Sequence, residues 1–532
     1  MRKIVWFLLI AITMLGLVLR VYGINQYPVH LGHDEVSQLY DAISIAQTGK
    51  DIYGHRLPFM FDSVNDFKPP FYTYMTVIWY WLLGWQEVVI KITGLVFGTL
   101  LIPVVFFFTN ELFKKTQVSL ATSFITAISP FEIFFSRKSF ENQAGIVFIF
   151  VGFTLLLRFV RDTTKKKLAN IGMALLGIGM YTYFSHAILI PLLLTGFLFL
   201  NFKVAKKIPK TGWVVLVVLA LPLYWNILTN EKSTNRGGAV FIAQDRVLGE
   251  KLNFTNSFLG KKIILFDYAF NRYLSQFNSN YLFGNGLDLT KQTYPDTGLL
   301  YLIQLPFILI GIYGLFKGTD RKNHSLFLIF ILLVGMIPSG LTFEEYSPHR
   351  SLIAFSVLNI ISAYGLNVIW KRRIVGVIVM LCLVLGLLSF TYFYTINYPT
   401  ERSFDLHYPF KQVVILAWEK RDNYDQIIFD PKFGEDAPKI GTATHYYFGF
   451  YGHYLPAEMQ KNLRYGLRDR EVLFDKFSIR AIDWRQDSQL KKVLLIASPW
   501  SLPPIEEVKM TGKVISEIKF FNGKTAFFVV EL

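Results

Sequence analysis

Two adjacent carboxylates follow the first apolar segment of the chain, in the run His33-Asp34-Glu35, and a lysine follows in the run Asp66-Phe67-Lys68-Pro69-Pro70. Ionised groups are costly at membrane depth, so acids and a cation beside an apolar segment usually mark a functional site. A carboxylate can take a proton from an attacking hydroxyl or amine, and a cation can stabilise a departing phosphate. These residues predict acid–base chemistry on a phosphate-bearing molecule beside a membrane.

The composition places the chain among membrane proteins. It has 532 residues, of which 52% are hydrophobic and 17% charged, whereas soluble chains carry about a quarter charged residues. The formal net charge of +16 does not indicate nucleic-acid binding, because many basic residues lie in short loops between apolar blocks. The single cysteine, Cys382, excludes an intramolecular disulfide. We predict a polytopic α-helical membrane protein.

Apolar blocks of about 20 residues predict about eleven transmembrane helices, because that length crosses a bilayer core. The first is predicted to be an uncleaved span, since no small-residue cleavage site follows it. Clusters of Lys and Arg fall in alternate loops, which the positive-inside rule makes cytoplasmic. The predicted spans cover residues 4–22, 88–113, 117–134, 143–160, 169–185, 187–202, 212–229, 298–316, 325–341, 351–369 and 374–395.

The first outer loop, residues 23–87, is predicted to contain two helices that do not cross the membrane. Residues 34–47 place Val36, Leu39, Tyr40 and Ile43 on one helical face and end before Gly49. The opposite face, with Gln38, Asp41 and Gln47, is expected to face water in an interfacial helix. Residues 71–85 are short and rich in Tyr and Trp, which favours a position at the headgroups.

The chain is predicted to have two domains. Residues 1–395 form the transmembrane domain, whose first outer loop carries the site, and residues 396–532 form a soluble α/β domain outside the membrane. Strands are predicted at 426–430 and 493–498, and a hairpin at 517–531 around Asn522-Gly523. The long outer loop 231–296 is expected to be ordered, because it is rich in Phe and Tyr; within it, Gly284-Asn285-Gly286 indicates a turn.

Further ionisable residues fall on the same predicted outer side. They are Arg137, Lys138 and Glu141 in one turn, and His349 and Arg350 in another. Because basic residues are unexpected on that side, a phosphate ligand is a local reason for them: Lys attracts it as a point charge and Arg as a bidentate donor. Acids and bases on one surface are what sugar transfer from a polyprenyl phosphate requires.

Each of these residues also has a structural interpretation. Asp34 can cap a helix and Glu35 can be a supporting or solvated residue. Lys68 can be a lysine that reaches the interface, and Glu141 can pair with a neighbouring base. Arg350 can anchor a span end at the headgroups. His33 and His349 stand alone beside acids, so a divalent metal is not favoured and no cofactor is predicted.

The chain resembles the protein O-mannosyltransferase and aminoarabinose transferase superfamily of GT-C-type membrane glycosyltransferases. The shared features are an uncleaved first span, the opening of a helix at His33-Asp34-Glu35, Lys68-Pro69-Pro70 before an aromatic helix, and the acidic turn Ser136–Glu141. The resemblance implies an inverting transfer from a polyprenyl-phosphate sugar, with Asp34 as the catalytic base and Lys68 on the donor phosphate. Glu141 matches the second acidic position, where the family often has Asp; Pro348-His349-Arg350 matches more weakly.

These observations predict a glycosyltransferase of the cell membrane, with its site on the outer face. Catalysis is assigned to Asp34, Glu35 and Glu141, and donor-phosphate binding to Lys68, Arg137, Lys138, His349 and Arg350. The expected partners are a polyprenyl-phosphate sugar donor, the bilayer, and an acceptor that is a protein, lipid or glycan. A transporter or flippase and a membrane anchor for the soluble domain are the alternatives; the chain shows no internal repeat, and the acids cluster outside the spans.

Overall fold

The computed structural model describes residues 3–63, 66–230, 241–284, 297–318, 322–369, 373–403, 407–432, 444–465 and 471–532. In chain order, its helices are α1 Lys3–Val21, α2 His33–Thr48, α3 Pro70–Leu83, α4 Val88–Phe113, α5 Thr116–Ile128, α6 Pro130–Arg137, α7 Asn142–Arg161, α8 Lys166–Gly179, α9 His186–Leu200, α10 Phe202–Ala205, α11 Lys210–Thr229, α12 Arg246–Leu252, α13 Phe258–Ser275, α14 Ser279–Phe283, α15 Gln304–Lys317, α16 Lys322–Gly340, α17 Leu352–Ile369, α18 Arg373–Tyr392, α19 Tyr398–Arg402, α20 Pro409–Lys420, α21 Thr444–Tyr451, α22 Pro456–Asn462, α23 Trp484–Asp487 and α24 Ile505–Thr511. Its strands are β1 Phe61–Ser63, β2 Asp66–Lys68, β3 Gln426–Phe429, β4 Arg464–Tyr465, β5 Val472–Phe474, β6 Phe477–Ile479, β7 Val493–Ala497, β8 Lys513–Lys519 and β9 Thr525–Glu531.

The chain divides into two compact units. The first unit comprises Met1–Ile24 and Lys91–Tyr394, and the second comprises Asn25–Ile90 and Thr395–Leu532. The first outer loop is predicted to belong to the transmembrane domain, whereas in the structure this loop packs with the C-terminal region. The reason is a shared apolar core: buried side chains of α2, among them Val36 and Leu39, join those of the C-terminal elements in one cluster.

The first unit is helical. Among the described residues, seven helices are long and apolar enough to cross a membrane, or eight if α5 and α6, bent by 54° at their junction, count as one span. Every one of the eleven predicted spans contains a helix, but three of those helices, α8, α9 and α15, have only 14 or 15 residues. At 1.5 Å per residue such a helix extends about 21 Å, less than a bilayer core of about 30 Å. The structure therefore supports a multi-pass helical protein but not the count of eleven.

Close helix packing in the first unit depends on small residues. A side chain at Gly311 of α15 would overlap the backbone oxygen of Ile361 in α17, and one at Gly365 of α17 would overlap that of Phe307 in α15. Such contacts let helix backbones approach where apolar burial gives little preference between protein and lipid. α17 is buried along most of its length as a result.

The second unit is built on a mixed sheet in the order β4-β5-β6-β3-β7-β9-β8. Strand β3 lies parallel to both β6 and β7, and β8 pairs with β9 as an antiparallel hairpin. The predicted strands at 426–430 and 493–498 are confirmed within a residue. The predicted hairpin is also confirmed: Gly523 has a φ of +83° in its turn, and the first strand begins earlier than expected, at Lys513.

The first outer loop contributes two helices and a small hairpin to the second unit. The predicted helix at 34–47 is confirmed as α2, and Gly49, with a φ of +70°, ends it in the left-handed conformation. The predicted helix at 71–85 is found as α3, which has 14 residues, ends at Leu83 and is not among the candidate spans of the described chain. Strands β1 and β2 pair antiparallel, with Phe61 opposite Lys68.

The long loop 231–296 is described only in part. Residues 241–284 form α12, α13 and α14, so this portion is ordered as expected. The predicted turn at Gly284-Asn285-Gly286 extends into residues outside the described chain.

Candidate active site

Asp34 and Lys68 form an ion pair in the second unit. The Lys68 Nζ lies 2.7 Å from Asp34 Oδ1, and it also contacts the Asp34 backbone oxygen at 3.2 Å and Ser37 Oγ at 3.4 Å. The two side chains differ in access: the Lys68 side chain is 3% exposed, whereas that of Asp34 is 59% exposed. The pair therefore presents a carboxylate to solvent and keeps its cation behind it.

The start of α2 determines where Asp34 points. Gly32 is the N-cap residue, and the Glu35 carboxylate accepts a hydrogen bond of 2.8 Å from the Gly32 amide. Such a backward bond satisfies one of the donors that a helix start leaves unpaired. The capping role considered for Asp34 is thus taken by Glu35, which is 6% exposed. Asp34, one position earlier, is turned toward Lys68.

The position of Lys68 follows from its neighbours in the chain. It is the last residue of β2, where pairing with β1 fixes the backbone. Pro69 then serves as the N-cap of α3 and Pro70 as its first residue, a position that suits proline because its missing N–H would have no helical partner. The hairpin and the helix start together hold Lys68 at one point beside α2.

A group of buried polar residues next to this pair was not predicted. Asp41 and Gln38, expected to face water, are 1% and 2% exposed, because α21 of the C-terminal region covers that face of α2. Asp41 Oδ1 accepts a hydrogen bond from the Ile52 amide at 3.2 Å, and Asp41 Oδ2 lies 3.3 Å from the Tyr446 hydroxyl. Burial, and next the charge of Asp51, raises the pKa of Asp41 well above its ordinary value. The sequence signal for Asp41 is its position, since it is a carboxyl group two helical turns after Asp34.

Arg137 lies in the first unit and is engaged by the end of α1. Its Nη1 lies 3.2, 3.0 and 2.7 Å from the backbone oxygens of Leu19, Arg20 and Tyr22. Its guanidinium also lies 5.3 Å from the ring centre of Tyr394. A helix end leaves carbonyl groups unpaired and favours a nearby cation. These contacts make Arg137 a cap for α1, whatever else it binds.

The two outer turns of the first unit are joined by other contacts. The ring of His349 stacks on Phe140 with centroids 5.2 Å apart, and Asn142 donates a hydrogen bond to the His349 backbone oxygen. The Nζ of Lys138 lies 5.8 Å from the centre of the Phe140 ring, a cation–π distance. Predicted residues from two distant parts of the sequence are thus brought together. Glu141 occupies the N-cap position of α7.

Arg350 borders an apolar cavity. It pairs with Glu344 at 3.1 Å, and Tyr183 lines the same cavity. Its Nη1 is buried and has no hydrogen-bond partner in the described residues. The cavity has a volume of about 200 Å³, and most of the residues that line it with Arg350 are apolar, including Ile188, Leu192 and Ile337. Tyr183 was not singled out from the sequence.

His33 and His349 are the candidate metal ligands of the sequence. In the described residues, no group of three or more His, Cys, Asp or Glu side chains is placed to hold a metal ion. The ring of His33 lies instead beside that of His407, with centroids 5.4 Å apart in an edge-to-face arrangement.

Comparison with known proteins gives one family match and several similar folds. Residues 67–225 match the model of the dolichyl-phosphate-mannose-protein mannosyltransferase family. This range includes Lys68, Arg137 and Glu141, while Asp34 lies before it. No curated protein shows significant sequence similarity.

Several solved structures resemble this chain. ArnT from Cupriavidus metallidurans, bound to undecaprenyl phosphate, aligns over 98% of this chain and 97% of its own, with 11% identity and a TM-score of 0.59. An oligosaccharyltransferase from Archaeoglobus fulgidus, tethered to an acceptor peptide, aligns over 85% of this chain and 63% of its own, with 12% identity and a TM-score of 0.53. At these identities the likeness establishes the fold. The family match covers less than a third of the chain, so the comparisons show this fold together with a similarity of residues 67–225 to the mannosyltransferase family.

Proposed function

We propose that the protein transfers a sugar from a polyprenyl-phosphate-linked donor to an acceptor hydroxyl or amine. The observation that carries this proposal is the pairing of an exposed carboxylate with a buried cation at 2.7 Å, Asp34 with Lys68. Glycosyl transfer needs both groups at one place, because a proton is removed from the acceptor while negative charge develops on the phosphate that leaves. The superfamily fold and the family match support this reaction class.

Lys68 is proposed to hold the donor phosphate. Its principal partner is a side-chain carboxylate, which a phosphate can replace or join, because both are anionic acceptors of ammonium hydrogen bonds. Its burial keeps the charge out of bulk water, where the field of a single charge would be strongly screened. As the phosphate leaves the sugar it gains negative charge, and Lys68 stabilises that charge.

Asp34 is proposed to act as the base. The acceptor oxygen or nitrogen attacks the anomeric carbon of the sugar, and Asp34 takes the acceptor proton. The bond from the anomeric carbon to the phosphate oxygen breaks, and its electron pair leaves with the polyprenyl phosphate. One displacement of this kind inverts the anomeric configuration. Glu35 supports the step indirectly, since its bond to the Gly32 amide fixes the start of α2.

The apolar cavity beside Arg350 is proposed to bind an anionic lipid. Its lining suits a hydrocarbon chain, and the buried Nη1 of Arg350 can donate to a phosphate oxygen. Leaving a buried guanidinium donor unpaired costs free energy, which a bound anion would recover. An isoprenoid phosphate has both an apolar chain for the cavity and an anionic phosphate for Arg350.

The reaction is proposed to occur on the outer face of the cytoplasmic membrane. Support comes from the basic clusters in the loops between predicted spans, such as Lys114-Lys115 and Lys165–Lys167, which the positive-inside rule assigns to the cytoplasm. The soluble C-terminal region and the first outer loop would then lie outside. The variant Asp425→Cys, in a Cys382→Ser background, should be modified by a membrane-impermeant maleimide in intact cells. Protection of this cysteine until the cells are lysed would reverse the proposed orientation.

Replacing the proposed base provides the test of function. Asp34→Asn keeps the size of the side chain and removes its basicity. We expect transfer from undecaprenyl phosphate mannose, in proteoliposomes supplied with native-cell extract as acceptor, to fall about 10²- to 10⁴-fold. Asp425→Asn is the matched control, because Asp425 also pairs with a lysine, Lys492, at 3.0 Å, but both side chains are well exposed. Full turnover by Asp34→Asn would end the assignment.

A further inference from the structure

The C-terminal region places a helix against α2, which begins beside the pair formed by Asp34 and Lys68. Helix α21 packs on α2, and Gly449 permits this approach, since a side chain there would overlap the ring of Tyr40. Three tyrosine hydroxyl groups join the first outer loop and the C-terminal region: those of Tyr446 and Tyr447, and that of Tyr40, which donates to the Tyr454 backbone oxygen at 2.6 Å. The helix is nearly fully buried.

Tyr446 connects the two elements that carry the pair. Its hydroxyl lies 3.3 Å from Asp41 Oδ2 in α2 and 3.3 Å from the backbone oxygen of Asp62 in β1. Strand β1 pairs with β2, whose last residue is Lys68. A single hydroxyl thus lies between the helix that begins near Asp34 and the hairpin that ends at Lys68.

The hydrogen bonds around Tyr446 form a consistent chain when Asp41 is neutral. Its pKa is raised by burial and by the charge of Asp51. Asp41 Oδ1 accepts from the Ile52 amide, so the proton belongs on Oδ2, from which it can be donated to Tyr446. Tyr446 is then able to donate to the Asp62 carbonyl. The carboxyl proton of Asp41 and the hydroxyl proton of Tyr446 are then both hydrogen-bonded, and no uncompensated charge is buried.

Tyr447 holds the turn that precedes Asp34. Its hydroxyl donates a hydrogen bond of 2.8 Å to the Leu31 backbone oxygen, and its ring stacks on His30 with centroids 5.3 Å apart. The next residue, Gly32, is the N-cap whose amide is bound by Glu35. The chain is therefore fixed from the C-terminal region immediately before α2 begins.

We propose that α21 is part of the catalytic apparatus: Tyr446 positions Lys68 through the hairpin, and Tyr447 positions Asp34 through the turn before α2. This inference rests on the proposed function for its catalytic meaning. It assigns to the C-terminal region a role in completing the site. Tyr446 and Tyr447 are positioning residues, since neither takes part in the transfer itself.

The test measures the position of Lys68 without a substrate. The full-length protein in detergent is treated with formaldehyde and a mild borane reductant, and methylation of Lys68 is followed by mass spectrometry, with exposed Lys492 as internal standard. In Tyr446→Phe we expect Lys68 to react roughly five- to tenfold faster, because the loss of one hydrogen bond loosens the hairpin. Tyr454→Phe is the control: its hydroxyl contacts Asn462, and its removal should leave Lys68 unchanged.

Two further variants keep the test decisive if Tyr446→Phe is unstable. Asp41→Asn retains a donor toward Tyr446 and should leave Lys68 protected, whereas Asp41→Leu removes it and should expose Lys68. Equal Lys68 reactivity in the wild type, Tyr446→Phe and Asp41→Leu would overturn the inference.

Turnover by Tyr447→Phe should fall about tenfold, since one lost hydrogen bond is worth about that factor; unchanged turnover would remove Tyr447 from the proposal. A failure of Asp34→Asn to reduce transfer would instead refute the proposed function and leave the Lys68 result intact.

Discussion

Lys68 and Arg137 are both buried cations, and the sequence predicts that both bind the donor phosphate. Their surroundings differ. Lys68 contacts an exposed carboxylate, Asp34, and a serine hydroxyl. Arg137 contacts three backbone oxygens at the end of α1. A side-chain carboxylate can turn toward solvent and give way to a phosphate, whereas carbonyl groups at a helix end cannot leave without unwinding the helix. Burial alone therefore does not identify a cation that binds a ligand. The chemical nature of the groups that contact the cation does.

The largest effect is expected on stability, from removing the cap of α1. Arg137→Gln takes a charged donor away from three carbonyl groups at the end of α1, and we expect the free energy of unfolding to fall by about 3 kcal/mol. Denaturant titration in detergent micelles measures it. Binding of undecaprenyl phosphate by the folded fraction should remain within about twofold of the wild type. A variant with normal stability and lost binding would make Arg137 a ligand-binding residue like Lys68.

The next effect is expected on binding, from removing the cation beside Asp34. Lys68→Gln should weaken binding of undecaprenyl phosphate by about 10²-fold, because a charge-assisted hydrogen bond is lost at a site shielded from water. Lys492→Gln provides the control, since Lys492 is also paired with an aspartate but exposed. Lipid binding is measured by native mass spectrometry in a defined detergent. Unchanged affinity in Lys68→Gln would remove the distinction between the two cations.

A smaller effect is expected at the apolar cavity. Arg350→Gln should weaken undecaprenyl phosphate binding by about tenfold. The loss is moderate because one part of the guanidinium is already paired with Glu344, so that Arg350 offers the ligand one buried donor. A short-chain isoprenoid phosphate should show a smaller loss, if the cavity binds the hydrocarbon part. Equal affinities of wild type and variant for both ligands would exclude Arg350 from lipid binding.

The smallest effect concerns pH and the buried histidine of α21. Burial lowers the pKa of His445 to about 3, below the ordinary value of about 6.5, so the unfolded chain binds a proton that the folded chain excludes. Stability from this group is nearly complete above about pH 7.5 and is lost progressively as pH falls through 6.5. Between pH 7.5 and 6.0 the loss is about 0.8 kcal/mol. In His445→Gln the pH dependence of unfolding should be shallower by that amount; an unchanged pH dependence would show that His445 titrates normally.

Much of the fold could be predicted from the sequence, because local patterns determine it. The period of apolar residues identified α2, Gly49 marked its end, and Asn522-Gly523 marked the hairpin of β8 and β9. The count of about eleven spans is not confirmed, because apolar composition does not reveal that α8, α9 and α15 are short. The polar face of α2 was misinterpreted, because Asp41 and Gln38 are covered by a helix about 400 residues later in the chain.

The candidate site could be predicted in part. Asp34 and Lys68 were identified by residue type and membrane position, and the structure brings them into contact. The capping by Glu35 depends on which residue begins the helix, and the sequence allowed Asp34 as well. The contacts of Arg137 with α1, and of Tyr446 with Asp41, join residues more than 100 positions apart. No local pattern predicts such pairs.

The pairing of Asp34 with Lys68 is tested most directly by a double-mutant cycle on the rate of sugar transfer from undecaprenyl phosphate mannose. The rates of the wild type, Asp34→Asn, Lys68→Gln and the double variant are compared under single-turnover conditions. If the two groups act as one unit, the double variant should lose about as much activity as the more impaired single variant, because residues that act together are far from additive. Losses that simply multiply, or a single variant with full activity, would contradict the account.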